Sequence, residues 1–583
     1  MPYRFSWVIG LAAFGLGLVL FLGTTPARAT GAIIVTTTAD ELNSDGDCAL
    51  REAVAAANTD TAVDACAAGN GPDTIHLPAG IYTVTLTGSN ENGNVTGDLD
   101  VTSEVSFIGA GAEVTILDGN GAATTDRLMH LLNGARVLAS GLQIRNGRPA
   151  NSGGGILTEA GTILTVTNSL VTQNTALGDA YTSGGGIASN GWLFVLSSQI
   201  TSNTTSGRGG GLWSSQTLNV LSSTLAYNVA GGGGGVFVAV GTANIRQSSI
   251  VSNTAVAAWF SFGGGGGIYN QALTSLYADV IGHNTVTVTD TTGGGIYNSG
   301  LVYVNWTFIT ENYAYHGGGI GSFYNAQIMV SNSTISANSA NSGGGIYHST
   351  YVLDNPSVIE NSTLRGNTAD LGGGVYLGNW GALWLVNATV SGNLATSDGG
   401  GIYNAGVPNL FLHSATIAAN TADSDGDGTG NGGGLYSYLN VYGRTEGENV
   451  LLANNVDGSP VTKQPDCYGR FVSTGYNLVE DTTGCALSGE QADNIYGQDP
   501  QLGSLQDNGG PTLTQALLSA SPAIDRGNPD GCTEYAAVRL LLDQRGYWRH
   551  ADGDNNGSTL CDIGAYEFGA SLPSYIYLPH ILK

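Results

Sequence analysis

Glycine triplets are the feature of this sequence that most constrains its fold. They recur about every 28 residues, from the triplet that ends at Gly155 to the one that ends at Gly434. A period this short is typical of solenoids, in which each repeat packs only against its neighbours. The composition, with 90 glycines in 583 residues, also differs from that of ordinary globular domains. The sequence therefore predicts one long repeat domain.

The spacing of aliphatic residues predicts that each repeat consists of strands. In the repeat that ends at Asn420, the residues Leu410, Leu412 and Ile417 follow a strand-like alternation, and other repeats hold Val, Ile or Leu at the same positions. Glycine and β-branched residues would destabilise helical repeats. We therefore expect an all-β fold, a right-handed parallel β-helix with about three strands per coil and aliphatic side chains inside.

An asparagine precedes each triplet from the second onwards. Asparagine tolerates the left-handed backbone of a corner, and its amide can bond to the same amide about 4.8 Å away in the next coil. The sequence therefore predicts a buried asparagine ladder. Glycan attachment is the alternative, because Asn203, Asn332 and Asn387 match the acceptor pattern. The ladder positions are Asn174, Asn203, Asn228, Asn253, Asn284, Asn312, Asn338, Asn367, Asn393 and Asn420.

The N-terminus is predicted to be a signal peptide spanning residues 1–29. A basic start at Arg4 precedes an apolar run, and Ala27-Arg28-Ala29 forms a small-residue site with cleavage expected after Ala29. An uncleaved membrane anchor is the alternative. Export predicts an extracellular or bacterial cell-surface protein. The formal net charge of −27 disfavours nucleic acid and anionic membranes as partners, and no later segment is apolar enough for a transmembrane span.

The glycine-triplet repeat is absent from both ends of the chain, which predicts separate terminal regions there. We expect an N-terminal cap at 30–72, the β-helix at 73–460, a C-terminal module at 461–570 and a tail at 571–583. Residues Cys48 to Asn58 form an amphipathic pattern that predicts a capping helix with Asp47 as its N-cap. Such caps close the strand edges that a solenoid would otherwise expose.

The six cysteines all lie outside the glycine-triplet region. In an exported protein they favour three local disulfides, although sequence alone leaves fifteen pairings open. Their spacing does not fit structural zinc. The neighbouring pairs are Cys48 and Cys66, Cys467 and Cys485, and Cys532 and Cys561.

Motifs at both ends resemble known bacterial families. The segment around Cys48-Ala-Leu-Arg-Glu-Ala resembles the N-terminal CSLREA region of exported β-helix proteins, with Ala49 in place of the usual serine. The motifs that begin at Asp499, Ser521, Asp543 and Cys561 resemble the choice-of-anchor Q family. The triplet repeats are similar to those of polymorphic outer membrane proteins, which are adhesins. These resemblances imply a bacterial surface protein whose relatives end in different sorting tails.

Catalysis is the main alternative to a binding role. Between Asn151 and Asn440 the basic residues are Arg208, Arg246 and Arg365, too few for a lyase acting on acidic polysaccharide. An inverting glycosidase needs two carboxyl groups about 6.5–9.5 Å apart. Asp370 and Asp398 precede successive triplets and are the candidate catalytic pair. Acidic residues are also common in solvated turns, which is the alternative interpretation.

Two acidic loops resemble calcium-binding loops, although the chain shows no other cofactor signal. Asp423, Asp425 and Asp427 lie at positions 1, 3 and 5, but Gly434 stands where an EF-hand has glutamate. The segment Asp552-Gly-Asp-Asn-Asn-Gly repeats the pattern, with Ile563 at that place. Each of the two loops could bind structural calcium weakly or could be an acidic loop without a metal ion.

Aromatic residues at the second position after the triplets are the candidate binding residues. If the preceding aliphatic residue points inward, these rings point outward and form a platform for the apolar faces of sugars. They could instead stack on one another and stiffen the solenoid, and Gly321 interrupts their row. The row comprises Trp213, Phe237, Tyr269, Tyr297, Tyr347, Tyr376, Tyr403 and Tyr436.

Together these features predict a non-enzymatic surface protein for adhesion or glycan binding, with polysaccharide or a cell-surface glycan as its partner. A β-helical glycosidase and a purely structural surface protein are the alternatives. The sequence does not identify an oligomeric state.

Overall fold

The computed structural model describes residues 31–89, 91–256, 264–351, 356–406, 409–438, 443–460, 463–533 and 538–573. The predicted signal peptide with its cleavage site and the tail from 574 to 583 lie outside the described residues. Part of the long insertion between Thr254 and Phe262 also lies outside them.

Each coil of the repeat region contains three main strands. In the coil that follows Gly401 these are Ile402–Asn404, Asn409–His413 and Thr416–Ala418, followed by the short strand Thr421–Ala422. Every strand pairs in parallel with its equivalent in the next coil, as Ile402 does with Leu435. Leu410, Leu412 and Ile417 are fully buried, as are their equivalents along the bore. The predicted parallel β-helix is therefore confirmed.

The strands of the triplet-containing coils fall into columns. The first strands are Ile156–Thr158, Ile187–Ser189, Leu212–Ser214, Val236–Val238, Ile268–Asn270, Ile296–Asn298, Ile320–Tyr324, Ile346–Thr350, Val375–Asn379, Ile402–Asn404 and Leu435–Ser437. The second strands are Ile163–Thr167, Trp192–Leu196, Thr217–Leu221, Thr242–Arg246, Leu273–Tyr277, Leu301–Asn305, Gln327–Ser331, Ser357–Glu360, Ala382–Val386, Asn409–His413 and Arg444–Glu448. The third strands are Leu170–Thr172, Gln199–Thr201, Thr224–Ala226, Ser249–Val251, Val280–Gly282, Phe308–Thr310, Thr334–Ser336, Thr363–Arg365, Thr389–Ser391, Thr416–Ala418 and Leu451–Ala453.

Parallel pairing continues beyond both predicted boundaries of the β-helix. At the N-terminal end Gly31–Ile34 pairs with Asp73–Leu77. At the other end Cys467–Gly475 pairs with Cys485–Glu490, and Leu478–Val479 with Ile495–Tyr496. These last coils lack the glycine triplet but still bury apolar side chains in the bore, so stacking outlasts the sequence repeat. The remaining N-terminal strands are Gly80–Thr83, Leu99–Val101, Glu104–Gly109, Thr115–Asp118, Met129–Leu131, Arg136–Ser140 and Gln143–Arg145.

The N-terminal cap contains the helix Leu50–Thr59, and a second, one-turn helix spans Gly121–Thr124. The prediction that Asp47 is the N-cap is wrong. The helix begins after Ala49, whose backbone N–H donates to Glu52 Oε2 at 3.0 Å. Glu52 therefore forms the half of a capping box that satisfies the N-cap N–H, whereas alanine has no side-chain oxygen to accept from the N–H groups of the first turn. Among the described residues, no helix is both long and apolar enough to cross a membrane.

Three disulfides join the neighbouring cysteines, which confirms the local pairing among the fifteen possibilities. They link Cys48 with Cys66, Cys467 with Cys485, and Cys532 with Cys561. The first lies in the N-terminal cap and the second ties the two last strands of the main sheet together. The third lies in the C-terminal module.

The C-terminal module folds back along one side of the last coils. It contains the antiparallel hairpin Leu502–Gln506 and Thr514–Leu517, followed by long irregular segments. The buried Gln544 bonds to Thr363 and Thr389 of two successive coils, at 2.9 and 2.6 Å. Arg549 donates to Asn387 Oδ1 at 2.6 Å. Polar contacts with several coils therefore fix the module against the β-helix.

Candidate functional site

The asparagines before the triplets form the predicted ladder. Each Nδ2 donates to the Oδ1 of the asparagine in the next coil at 2.9–3.1 Å. The ladder adds Asn455 and ends at the buried carboxylate of Asp466. Because Asn203 and Asn387 are buried, a glycan could not be attached to either in the folded protein.

The predicted aromatic row is a continuous stack of rings. Neighbouring centroids from Phe237 to Tyr297 lie 4.4 Å apart, and those from Tyr347 to Tyr468 lie 4.7–5.1 Å apart. Phe323 lies two residues after Gly321 on the same strand, with its centroid 6.2 Å from that of Tyr297 and 5.1 Å from that of Tyr347. We call this row the aromatic stack. The gap expected at Gly321 is therefore filled by the next residue on the same face.

Burial limits what the aromatic stack can bind. Phe237, Tyr269 and Tyr297 are at most 4% exposed, and Tyr436 is also buried. Trp213, Tyr347, Tyr376 and Tyr403 are half-buried, and their neighbours cover most of each ring face. Stacking of the rings on one another contributes to this burial, and the Arg208 guanidinium also lies over Phe237, 5.6 Å from its centroid. The stacking therefore matches the stiffening alternative more closely than an open platform.

The tyrosines of the stack are uncharged hydrogen-bonding groups at neutral pH. Burial raises the pKa of Tyr347 to about 12, and it also raises the pKa values of Tyr376 and Tyr403. Loss of a phenolic proton would place a negative charge between closely packed rings. The half-buried part of the stack therefore offers neutral hydroxyl groups and ring edges to the surface.

Asp370 and Asp398 lie on adjacent coils, as their positions in the sequence predict. The backbone N–H of Ser397 donates to Asp370 O at 2.9 Å, and that of Gly372 donates to Asp398 O at 3.1 Å. The Asp370 side chain accepts from Thr396 and Asn341, and Asp398 accepts twice from Asn431. Burial raises the pKa of Asp398. Both carboxylates thus bond to turn residues, Asp370 at an exposed and Asp398 at a half-buried position.

A groove of about 1530 Å³ lies between the β-helix and the C-terminal module. One wall is the corner that joins the second and third strands of successive coils, from Gln247 to Asn387. The other wall is the module segment from Arg539 to Tyr547, with Pro511 beside it. Six coils at about 4.8 Å spacing give this corner a length of about 24 Å. We call this feature the corner groove.

Aromatic and aliphatic side chains are exposed in the corner groove. Phe308 is 51% exposed and Tyr277 is 37% exposed, while Trp306 is half-buried. Leu541 of the module also lines the groove and is 50% exposed. Unlike the rings of the aromatic stack, those of Phe308 and Tyr277 keep a substantial part of their surface open to solvent.

Trp306 occupies a backbone position that does not suit a bulky residue. The six corner residues along the groove have left-handed φ angles of 48–57°. The other five are Gln247, Ala278, Asn332, Asn361 and Asn387. A left-handed conformation costs a residue such as tryptophan about 1–2 kcal/mol. Tyr227 and Tyr324 share this conformation at other corners, so what sets Trp306 apart is that its strained, half-buried side chain lines the groove.

The buried residue Asp279 also lines the corner groove, but its carboxylate serves the fold by accepting backbone hydrogen bonds. Its Oδ1 accepts from the backbone N–H of Ser248 and its Oδ2 from that of Tyr277, both at 2.8 Å. Burial raises the pKa of this carboxyl to about 7. Because both oxygens bond to the backbone, the side chain ties two coils together. The groups that the groove offers to a ligand are therefore the aromatic side chains of Trp306 and Phe308 and the side-chain amide groups of its asparagines.

Sequence reasoning missed Trp306 and Phe308 because it followed the triplets rather than this corner. Alignment of the coils on their asparagines would have identified Trp306. It stands in the column that Gln247, Asn332 and Asn361 occupy, where polar turn residues are usual.

The first predicted metal loop forms a compact acidic cluster. One carboxylate oxygen from each of Asp423, Asp425 and Asp427 lies within 4.8 Å of the others. Asp423 is 1% exposed, and its Oδ1 is buried without a hydrogen-bond partner. At the place where an EF-hand has glutamate, this loop has Gly434, the last residue of a glycine triplet, which has no side chain to offer.

No protein-family model matches this chain, and no curated protein matches it either.

Proposed function

We propose that this chain is an exported surface protein that binds a polysaccharide in the corner groove without cleaving it. Trp306 is the observation that carries this proposal. It lines the groove together with Phe308, at a left-handed position that asparagine occupies in equivalent coils, and contact with a ligand would account for a tryptophan there. Sugar rings present apolar faces that stack well on such aromatic groups.

Several features support export and a location at the cell surface. The leader-like N-terminus predicts secretion, and all six cysteines form disulfides, which is typical of oxidising compartments. The terminal motifs resemble the CSLREA and choice-of-anchor Q families of bacterial surface proteins.

The shape of the corner groove favours a chain-like ligand. It follows several coils, from Gln247 to Asn387, where Asn387 bonds to Leu542 and Arg549 of the module. An extended polysaccharide can lie along such a groove and contact Trp306 and Phe308 with successive sugars. Amide groups at Asn332 and Asn361 lie at the same corner and can bond to hydroxyl groups.

Binding to a glycan array, followed by calorimetric titration of the best ligand, tests the proposal. Trp306→Asn and Phe308→Ala should each weaken binding by about tenfold or more, which corresponds to about 1.4 kcal/mol. Trp192→Asn is the matched control, because Trp192 is exposed but does not line the groove. It should leave the affinity unchanged.

Two further results would contradict the proposal. Binding that is lost in Tyr376→Ala and Tyr403→Ala, but kept in both groove variants, would place the ligand on the aromatic stack. New reducing ends released from a bound polysaccharide, and abolished by Asp370→Asn or Asp398→Asn, would make the protein a glycosidase.

A further inference from the structure

A second acidic cluster lies in the C-terminal module and joins two distant parts of the sequence. Asp525 follows the strand hairpin, whereas Asp552 and Asp554 belong to the loop 552–557. One carboxylate oxygen from each of the three lies within 4.8 Å of the others. The loop pattern at Asp552 is visible in the sequence, but the contribution of Asp525 is visible only in the structure.

Asp525 is the residue that distinguishes this cluster from an ordinary acidic loop. Its side chain is 4% exposed, its Oδ1 is buried without a hydrogen-bond partner, and its Oδ2 accepts from Asp554 N at 3.0 Å. A buried, unpaired carboxylate oxygen is costly, and more so beside other carboxylates. Within the described residues, none of the three aspartates forms an ion pair with a basic side chain.

We propose that Asp525, Asp552 and Asp554 bind a calcium ion that fastens the loop 552–557 to the segment around Asp525. Calcium takes oxygen ligands at about 2.3–2.6 Å, so two ligands on opposite sides of the ion are about 4.8 Å apart. The three oxygens meet this limit. The site requires three carboxylates from two segments, and it leaves coordination positions for carbonyl groups and water.

The position of the site gives the ion a structural role. The backbone N–H of Asp525 donates to Asp562 Oδ1 at 2.7 Å, and Gly527 N donates to Cys561 O at 2.7 Å. Burial raises the pKa of Asp525, and Asp554 adds to the effect. A cation would offset this repulsion and link the loop, through Asp525, to the part of the module that the Cys532–Cys561 disulfide holds.

Calcium titration of the mature chain by calorimetry tests the site. The background variant for all measurements carries Asp425→Asn and Asp427→Asn together with Asp45→Asn and Asp47→Asn, so that the acidic groups at Asp423 and at Glu41 do not contribute. This background should bind one calcium ion, with a Kd of about 10⁻⁴–10⁻³ M, as extracellular modules do. Adding Asp525→Asn should weaken binding at least tenfold. Adding Asp507→Asn, an exposed acid of the same module, should leave binding unchanged.

A second variant keeps the test valid if Asp525→Asn does not fold. Asp552→Asn with Asp554→Asn changes only the loop, and it should abolish binding while the circular dichroism spectrum is unchanged. The proposal is wrong if the background binds no calcium in the millimolar range. It is also wrong if Asp525→Asn binds as tightly as the background, or if magnesium binds equally well.

Discussion

The β-helix and the C-terminal module both bury polar side chains, but they satisfy them differently. In the β-helix, each ladder asparagine bonds to an identical residue in the next coil, so one solution is repeated along the chain. In the module, the buried polar groups have individual partners, such as Asp543 with Arg545 and Gln544 with Thr363. The β-helix should therefore respond to a substitution locally, whereas the module should respond to pH and to loss of single ionic contacts.

The largest effect on stability is expected from interruption of the asparagine ladder. Asn338 is fully buried, donates to Asn367 Oδ1 and Ile309 O, and accepts from the backbone and side chain of Asn312. Asn338→Ala leaves these groups without partners and should lower the free energy of unfolding by about 3 kcal/mol or more. Urea denaturation measures this change.

Asn244→Ala is the matched control for the ladder. Asn244 is half-buried on the outer face, and its side chain donates one hydrogen bond, to Asn219 Oδ1 at 3.2 Å. Its replacement should cost about 1 kcal/mol or less. Equal losses in both variants would show that the ladder contributes no more than a surface amide pair.

Truncation of a ring in the aromatic stack should have a comparable effect, because the stack is packed like a core. Tyr297 is 1% exposed, and Tyr297→Ala should lower the free energy of unfolding by about 3–5 kcal/mol. Urea denaturation again provides the measurement. A loss below about 1 kcal/mol would contradict a stiffening role and would reopen the platform interpretation.

In the C-terminal module we expect stability to fall as pH rises. Burial raises the pKa of Glu567, and the neighbouring Asp562 raises it further. The folded protein therefore holds this proton more tightly than the unfolded chain does, so deprotonation above the ordinary glutamate pKa favours unfolding. The loss is about 1.4 kcal/mol for each unit by which folding raises the pKa.

Thermal unfolding between about pH 6 and about pH 9 tests this prediction. The melting temperature of the natural protein should fall with rising pH, and Glu567→Gln should flatten the profile. Glu490→Gln, at an exposed glutamate, is the control and should keep the natural slope. A profile that Glu567→Gln does not alter would show that another group causes the pH dependence.

The same contrast explains what could be predicted from the sequence. Repetition shows which positions face inward, and Leu410, Ile417 and the ladder asparagines lie where their spacing places them. The module has no repeat, so nothing in the sequence brings Asp525 to the loop at Asp552. The spacing of the aromatic residues did not show how completely Phe237, Tyr269 and Tyr297 are buried. Trp306 could have been found from the sequence, by aligning the coils on their asparagines, but the groove beside it is formed by the module and is visible only in the structure.

The smallest effect on stability, and the sharpest separation of binding from folding, is expected at Trp306. Asparagine adopts the left-handed conformation readily, and Asn332 and Asn361 already occupy the equivalent corners. Trp306→Asn should therefore leave the free energy of unfolding unchanged or raise it by about 1 kcal/mol. Phe308→Ala, at a half-exposed side chain, should lower it by about 1 kcal/mol or less.

Urea denaturation of both variants, beside their glycan titrations, completes this test. A stable Trp306→Asn protein that no longer binds polysaccharide would mean that the tryptophan serves the ligand and not the fold. Clear destabilisation by this substitution would instead mean that the indole packs as part of the β-helix, as the rings of the aromatic stack do. In that case the backbone strain would be offset by packing, and the argument for a ligand at this corner would fail.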